Sequence, residues 1–117
     1  MSLVETPTRF YDPADPGVTA VTVYTVPVDA LYAIVDVIQA CDTSGSSSTW
    51  SLSVGTDGTT TRIFDTMSVS ANDAVTYTGS VKSGIVVLAP GDFLQAIVAN
   101  AARIYLTISG RVGRVEK

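Results

Sequence analysis

The sequence predicts an all-β fold: a single antiparallel β-sandwich, jelly-roll-like, of about eight strands behind an extended N-terminal arm. Composition is the first reason. Among 117 residues there are 17 Val, 15 Thr and 12 Ser but only 2 Glu and 2 Lys, and β-branched residues suit pleated strands while the missing long charged residues are the good helix formers. Spacing is the second, because β-rich runs recur with turn signals between them about every 8 to 12 residues, as in sandwiches and barrels. Length is the third, since a chain of this size makes one domain. Residues 1–17 are assigned to the arm and 18–117 to the sandwich.

The arm carries Pro7, Pro13 and Pro16 with Asp12, Asp15 and Gly17 among them, which favours extended or irregular backbone. A first edge strand around Thr8 to Tyr11, followed by a turn, is the alternative. Val18 to Val26 is the first clear strand, stopped by Pro27 and Asp29. Leu31 to Cys41 is the second, closed by the polar run from Asp42 to Ser48, a surface tip. Thr49 to Val54 alternates, with Trp50, Leu52 and Val54 on one side and Thr49, Ser51 and Ser53 on the other, the period of a half-buried strand with Trp50 as core anchor.

After a turn at Thr56 to Thr59, Thr60 to Phe64 is a hairpin partner and Met67 to Val69 a short continuation. Asn72 and Asp73 mark a turn before Ala74 to Thr78. The chain then passes from Gly79 to Gly84 into Ile85 to Leu88, and the Pro90-Gly91-Asp92 turn delivers Phe93 to Ala99. Asn100 to Ala102 turns again, and Arg103 to Val112 closes the domain with Ile104, Leu106 and Ile108 on one face. This makes eight or nine strands. The stretches from Leu31 to Ile38 and from Leu94 to Ala101 also fit helical spacing; the first is rich in β-branched residues and follows Val-Pro, which favours a strand, and the second is assigned to a strand with one or two helical turns over the Ala-rich Gln95 to Ala102 as the alternative.

Several function classes fall away on composition. There is no histidine, so a Ser-His-Asp triad, a Cys-His dyad and a His-ligated zinc site are excluded. Cys41 is the sole cysteine, which excludes an intrachain disulfide and reads as a small buried hydrophobe. The net charge is −4 and the seven cations are scattered, unlike a phosphate-tracking surface. Most of the nine Asp stand beside Pro, Gly or Asn, where they cap turns. A calcium ion among loop aspartates is the one metal left to consider, and no phosphate loop or nucleophile elbow occurs. The expectation is a non-enzymatic protein with no cofactor, no metal, no nucleic acid and no membrane partner. Neither a signal peptide nor an apolar run of membrane-spanning length is present, so synthesis in a cytoplasm is expected.

The second strand carries Leu31, Ala33, Val35 and Val37 on one face and Tyr32, Ile34, Asp36 and Ile38 on the other, apolar on both sides. Such a strand needs cover on both sides. A second copy of the chain supplies it most simply, giving a homo-oligomer with Tyr32, Ile34 and Ile38 as contacts; a loop folded over the outer face is the rival source. Arg9, Phe10 and Tyr11 are the expected contacts of the arm with a neighbour, by strand addition.

Five segments carry a family likeness: Tyr24-Thr25-Val26-Pro27; the strand from Ala33 into Cys41-Asp42-Thr43-Ser44-Gly45; Ser70-Ala71-Asn72-Asp73; Leu88-Ala89-Pro90-Gly91-Asp92 with Leu94; and Ile104 to Gly110. In this order, across about residues 20 to 112, they resemble small β-sandwich virion proteins of tailed bacteriophages, with Asp42 where such families show Asn. The resemblance implies a capsid decoration protein, located in the virion and assembled in the host cytoplasm. Its partners would be the major capsid protein or other virion structural proteins, and its preferred state a C3 trimer. A tail, neck or fibre-base component is the alternative within the same likeness. A carbohydrate-binding sandwich is the alternative from another class, and it requires exposed Trp or Tyr.

Overall fold

The computed structural model describes residues 2–55, 62–78, 85–100 and 103–115. Nine strands account for most of them: β1 (Leu3–Ala14), β2 (Val21–Thr25), β3 (Tyr32–Asp42), β4 (Ser48–Val54), β5 (Arg62–Val69), β6 (Ala74–Thr78), β7 (Val86–Leu88), β8 (Phe93–Val98) and β9 (Ile104–Val115). No helix occurs among the described residues: the first segment with helical spacing lies in β3 and the second is strand from Leu94 to Val98 in β8. The expected turns at 56–59 and 101–102, and the segment 79–84, lie outside the described residues.

One sheet runs β1-β9-β3-β6, with β7 also on β3, and the other runs β2-β8-β4-β5. Strands β6 and β7 flank the same edge of β3, Thr78 opposite Val37 and Val86 opposite Val35. They therefore act as one edge strand interrupted between residues 78 and 86. Counting them once gives eight strands in the order of two interlocked Greek keys, the jelly roll. The all-β sandwich is thus the observed fold.

The N-terminal segment is extended, and it is β1, an edge strand paired antiparallel to β9 from Leu3 opposite Val115 to Ala14 opposite Leu106. Pro7 and Pro13 are tolerated because an edge strand has one row of N–H groups without ladder partners. The strand after it starts at Val21 rather than Val18, since Gly17 takes a left-handed φ of 94° and the chain bends there. The pieces expected at Thr60–Phe64 and Met67–Val69 form one strand from Arg62 onward, kinked at Thr66 (φ 51°). The last strand continues past Val112 to Val115 because β1 is there to pair with it.

The core lies between the sheets. Ile38, Leu52, Leu94, Ile104, Leu106 and Ile108 are fully buried, as is Trp50. The Trp50 ring meets Phe64 of its own sheet at 5.7 Å and Tyr77 of the facing sheet at 5.6 Å. Gly110 is required where β9 crosses β3, because a Cβ there would overlap the Ile34 carbonyl oxygen.

The expected alternation of β3 breaks at Asp36. Pairing with β9 slips between Val35 and Val37, a β-bulge that adds one residue and exchanges the faces beyond it. Ala33, Val35, Ile38 and Ala40 accordingly belong to the core, while Val37 and Gln39 fall outside it. The strand is less two-sided than strict alternation implies.

Candidate docking surface

The six residues expected to make contacts are scattered in environment. Arg9 is exposed on β1, with Asp12 4.0 Å away. Phe10 is 5% exposed and packs on Tyr24 with ring centroids 4.4 Å apart. It shares the inward face with Thr8, whose partner Gly110 is in phase with the core residues Ile108 and Val112 of β9, so the chain's own core encloses it. Tyr11 is half-buried against that core, and burial, with Asp15 nearby, pushes its phenol pKa up. Ile38 is enclosed in the core through the Asp36 bulge. Ile34 is buried but outside the core cluster, flanked in register by Arg111 and Val87. As placed in the single chain, Phe10, Ile34 and Ile38 are buried and present little surface to a partner.

Tyr32 stands at the centre of a cluster that spans three neighbouring strands. Its hydroxyl donates to Glu5 Oε2 of β1 at 2.5 Å. Arg111 of β9 donates to Glu5 Oε1 at 3.3 Å and, through Nε and Nη2, to both carboxylate oxygens of Asp36 at 3.1 and 3.2 Å. The paired fork suits a planar guanidinium. Tyr32, and then the Arg111 charge, hold the Glu5 carboxyl below its ordinary value, and the same bond to Glu5 pushes the Tyr32 phenol up. Gly113 makes room for this, because a Cβ there would overlap the Tyr32 ring. The C-terminal strand is therefore part of the sheet through Val115, and its Arg111 meets acidic groups of its own chain.

The two ends of the sandwich differ chemically. At the end where β1 and β3 start and β9 finishes, Leu3 lies opposite Val115 and Leu31 N–H donates to the Gly113 carbonyl. Leu3, Val115, Leu31 and Val28 are all exposed there, Val28 by 87%. Arg114 and Asp29 border them as an ion pair at 3.8 Å. Grouped exposed apolar residues with a charged border are typical of an interaction surface.

The opposite end is more polar, with Val18 its exposed apolar residue among those described. Asp42, 1% exposed, accepts from Ser44 N–H and Oγ, each at 2.8 Å, while its Oδ2 has no partner among the described residues. Among the described residues no group of three or more Cys, Asp or Glu is placed to hold a metal ion. A cleft of about 270 Å³ on the outside of the second sheet is lined by Thr49, Ser51, Arg62, Thr66 and Ile97 among others. Trp50 also lines it but is only 1% exposed, so the cleft lacks the exposed aromatic platform of a sugar site.

Sequence reasoning picks out Tyr32 but not Glu5, Asp36 or the apolar end. A lone Asp inside the apolar run of β3 is the available signal for the first group. No known protein family matches the chain, and no curated protein or solved structure matches it either.

Proposed function

We propose that this protein is a non-enzymatic structural component of a tailed-phage virion, a decoration protein that binds the outer surface of the capsid shell and bridges neighbouring capsid subunits. The observation that carries the reading is the apolar end of the sandwich formed by Leu3, Val28, Leu31 and Val115. That surface sits on a rigid two-sheet body, and none of the described residues covers it. The turn strings behind the resemblance also fall at turns: Asn72 takes a left-handed φ of 55°, Gly91 one of 86°, and Asp92 accepts from the Ala89 N–H. A subunit that binds only the assembled lattice stabilises it by mass action, and bridging multiplies each contact over many copies. Trimeric association around the same end is part of the proposal.

Cosedimentation with empty mature shells tests it. Wild-type protein should pellet with shells in hundreds of copies per particle, and V28D/L31D should stay in the supernatant while keeping its far-UV circular dichroism. Failure to bind any shell overturns the decoration role. Binding at a few copies per virion moves the protein to the tail or neck.

A further inference from the structure

Strand β1 is held unevenly. From Leu3 to Arg9 every residue is exposed except Thr8, which is half-buried, and the first side chain in the core is Phe10. The N-terminal half is thus fixed by its ladder with β9 and by the two bonds that Glu5 accepts from Tyr32 and Arg111. Its separation from the sheet exposes little apolar surface. Phe10 lies inside the first register shift, between Arg9 and Tyr11, and core anchoring begins at it, which makes Phe10 a pivot.

The open edge of β1 is a poor place to add a strand, because Pro7 and Pro13 offer no N–H. The edge of β9 that β1 covers is different. Over Ser109 to Val115 it carries a ladder whose complement in length, register and charge is residues 3–9 of this sequence, with Tyr32 and Arg111 placed to receive a carboxylate at position 5. A second copy presents that same segment. We propose that residues 3–9 are an exchangeable strand, which peels from its own β9 about Phe10 and pairs with β9 of a second copy, so that protomers are linked by strand exchange. Every bond lost within a chain is regained between chains, which is why such exchange is a low-cost route to oligomers. The inference rests on β1 alone and does not depend on the virion reading.

A cysteine pair reads it directly. Pro7 opposite Arg111 fits a position without ladder bonds, and Leu3 opposite Val115 has the same parity, where side chains approach closely. In a Cys41→Ala background, L3C/V115C protein is incubated at a series of concentrations, separated by size and oxidised. The expected result is a disulfide within one chain in the monomer fraction and disulfides between chains in the oligomer fraction. E5Q, which weakens the segment equally in the closed and the exchanged forms, should speed the approach to the final oligomer share several-fold while leaving that share unchanged. Oligomers that carry only intrachain disulfides overturn the proposal, as does a chain that stays monomeric throughout the series. If the cysteine pair does not fold, wild-type hydrogen exchange decides: residues 3–9 exchanging no faster than β3 would show that the segment does not open.

Discussion

At the scale of single residues, the Glu5 carboxylate is the group whose protonation matters most for β1. Its hydrogen bond from Tyr32, with the Arg111 charge behind it, lowers its pKa in the folded protein. Folding then favours the ionised form, so the contribution is complete above the ordinary glutamate value of about 4.3 and is lost as pH falls through the lower folded value. For Tyr32 the sign reverses: its raised pKa favours the neutral phenol, and that contribution fades as pH rises past about 10. Hydrogen exchange of residues 3–9 in wild type and E5Q, corrected for intrinsic rates, checks this. E5Q should exchange faster at neutral pH, and the difference should vanish at low pH, where the protonated Glu5 carboxyl is as uncharged as the amide that replaces it. A difference that persists into acid would remove the carboxylate from the account. Beyond the lone Asp36 in the apolar run of β3, nothing local announces this cluster: Glu5 and Arg111 are 106 positions apart, and only the pairing of the first strand with the last brings them together.

At the scale of elements, β1 also shows how far alternation can be read. In β4 and the first half of β9 the apolar period is uninterrupted, and Trp50, Leu52, Ile104, Leu106 and Ile108 fall where the sequence puts them. In β3 a single extra residue moves Ile38 inward, and in β1 one turns Tyr11 to the core side next to Phe10. A bulge is decided by how two distant strands meet, so neither strand's own sequence reveals it. The consequence is measurable by urea unfolding. F10A should cost about 3–5 kcal/mol, the range for deleting a buried phenyl ring. L3A and V4A, in the same strand but exposed, should stay within about 0.5 kcal/mol of wild type. Equal losses at all three positions would mean that β1 is anchored along its whole length.

At the scale of the whole molecule, one core joins both sheets and the first strand is paired with the last. Closing that pairing requires nearly the entire chain to be in place, so native contacts are dominated by distant partners and folding belongs to the slow, millisecond-to-second class of all-β domains. Cooperativity follows from the same geometry. Trp50, the only tryptophan, touches Phe64 on its own sheet and Tyr77 on the facing one, so its fluorescence reports sheet-on-sheet packing, whereas far-UV circular dichroism reports the ladders within each sheet. Neither sheet keeps a buried face without the other, and the two signals should therefore fall together in urea with one midpoint, as in a two-state transition. A fluorescence midpoint well below that of circular dichroism would mean that the sheets separate before they dissolve. The jelly roll would then be two weakly coupled halves, and Trp50 would not be the anchor that its burial implies.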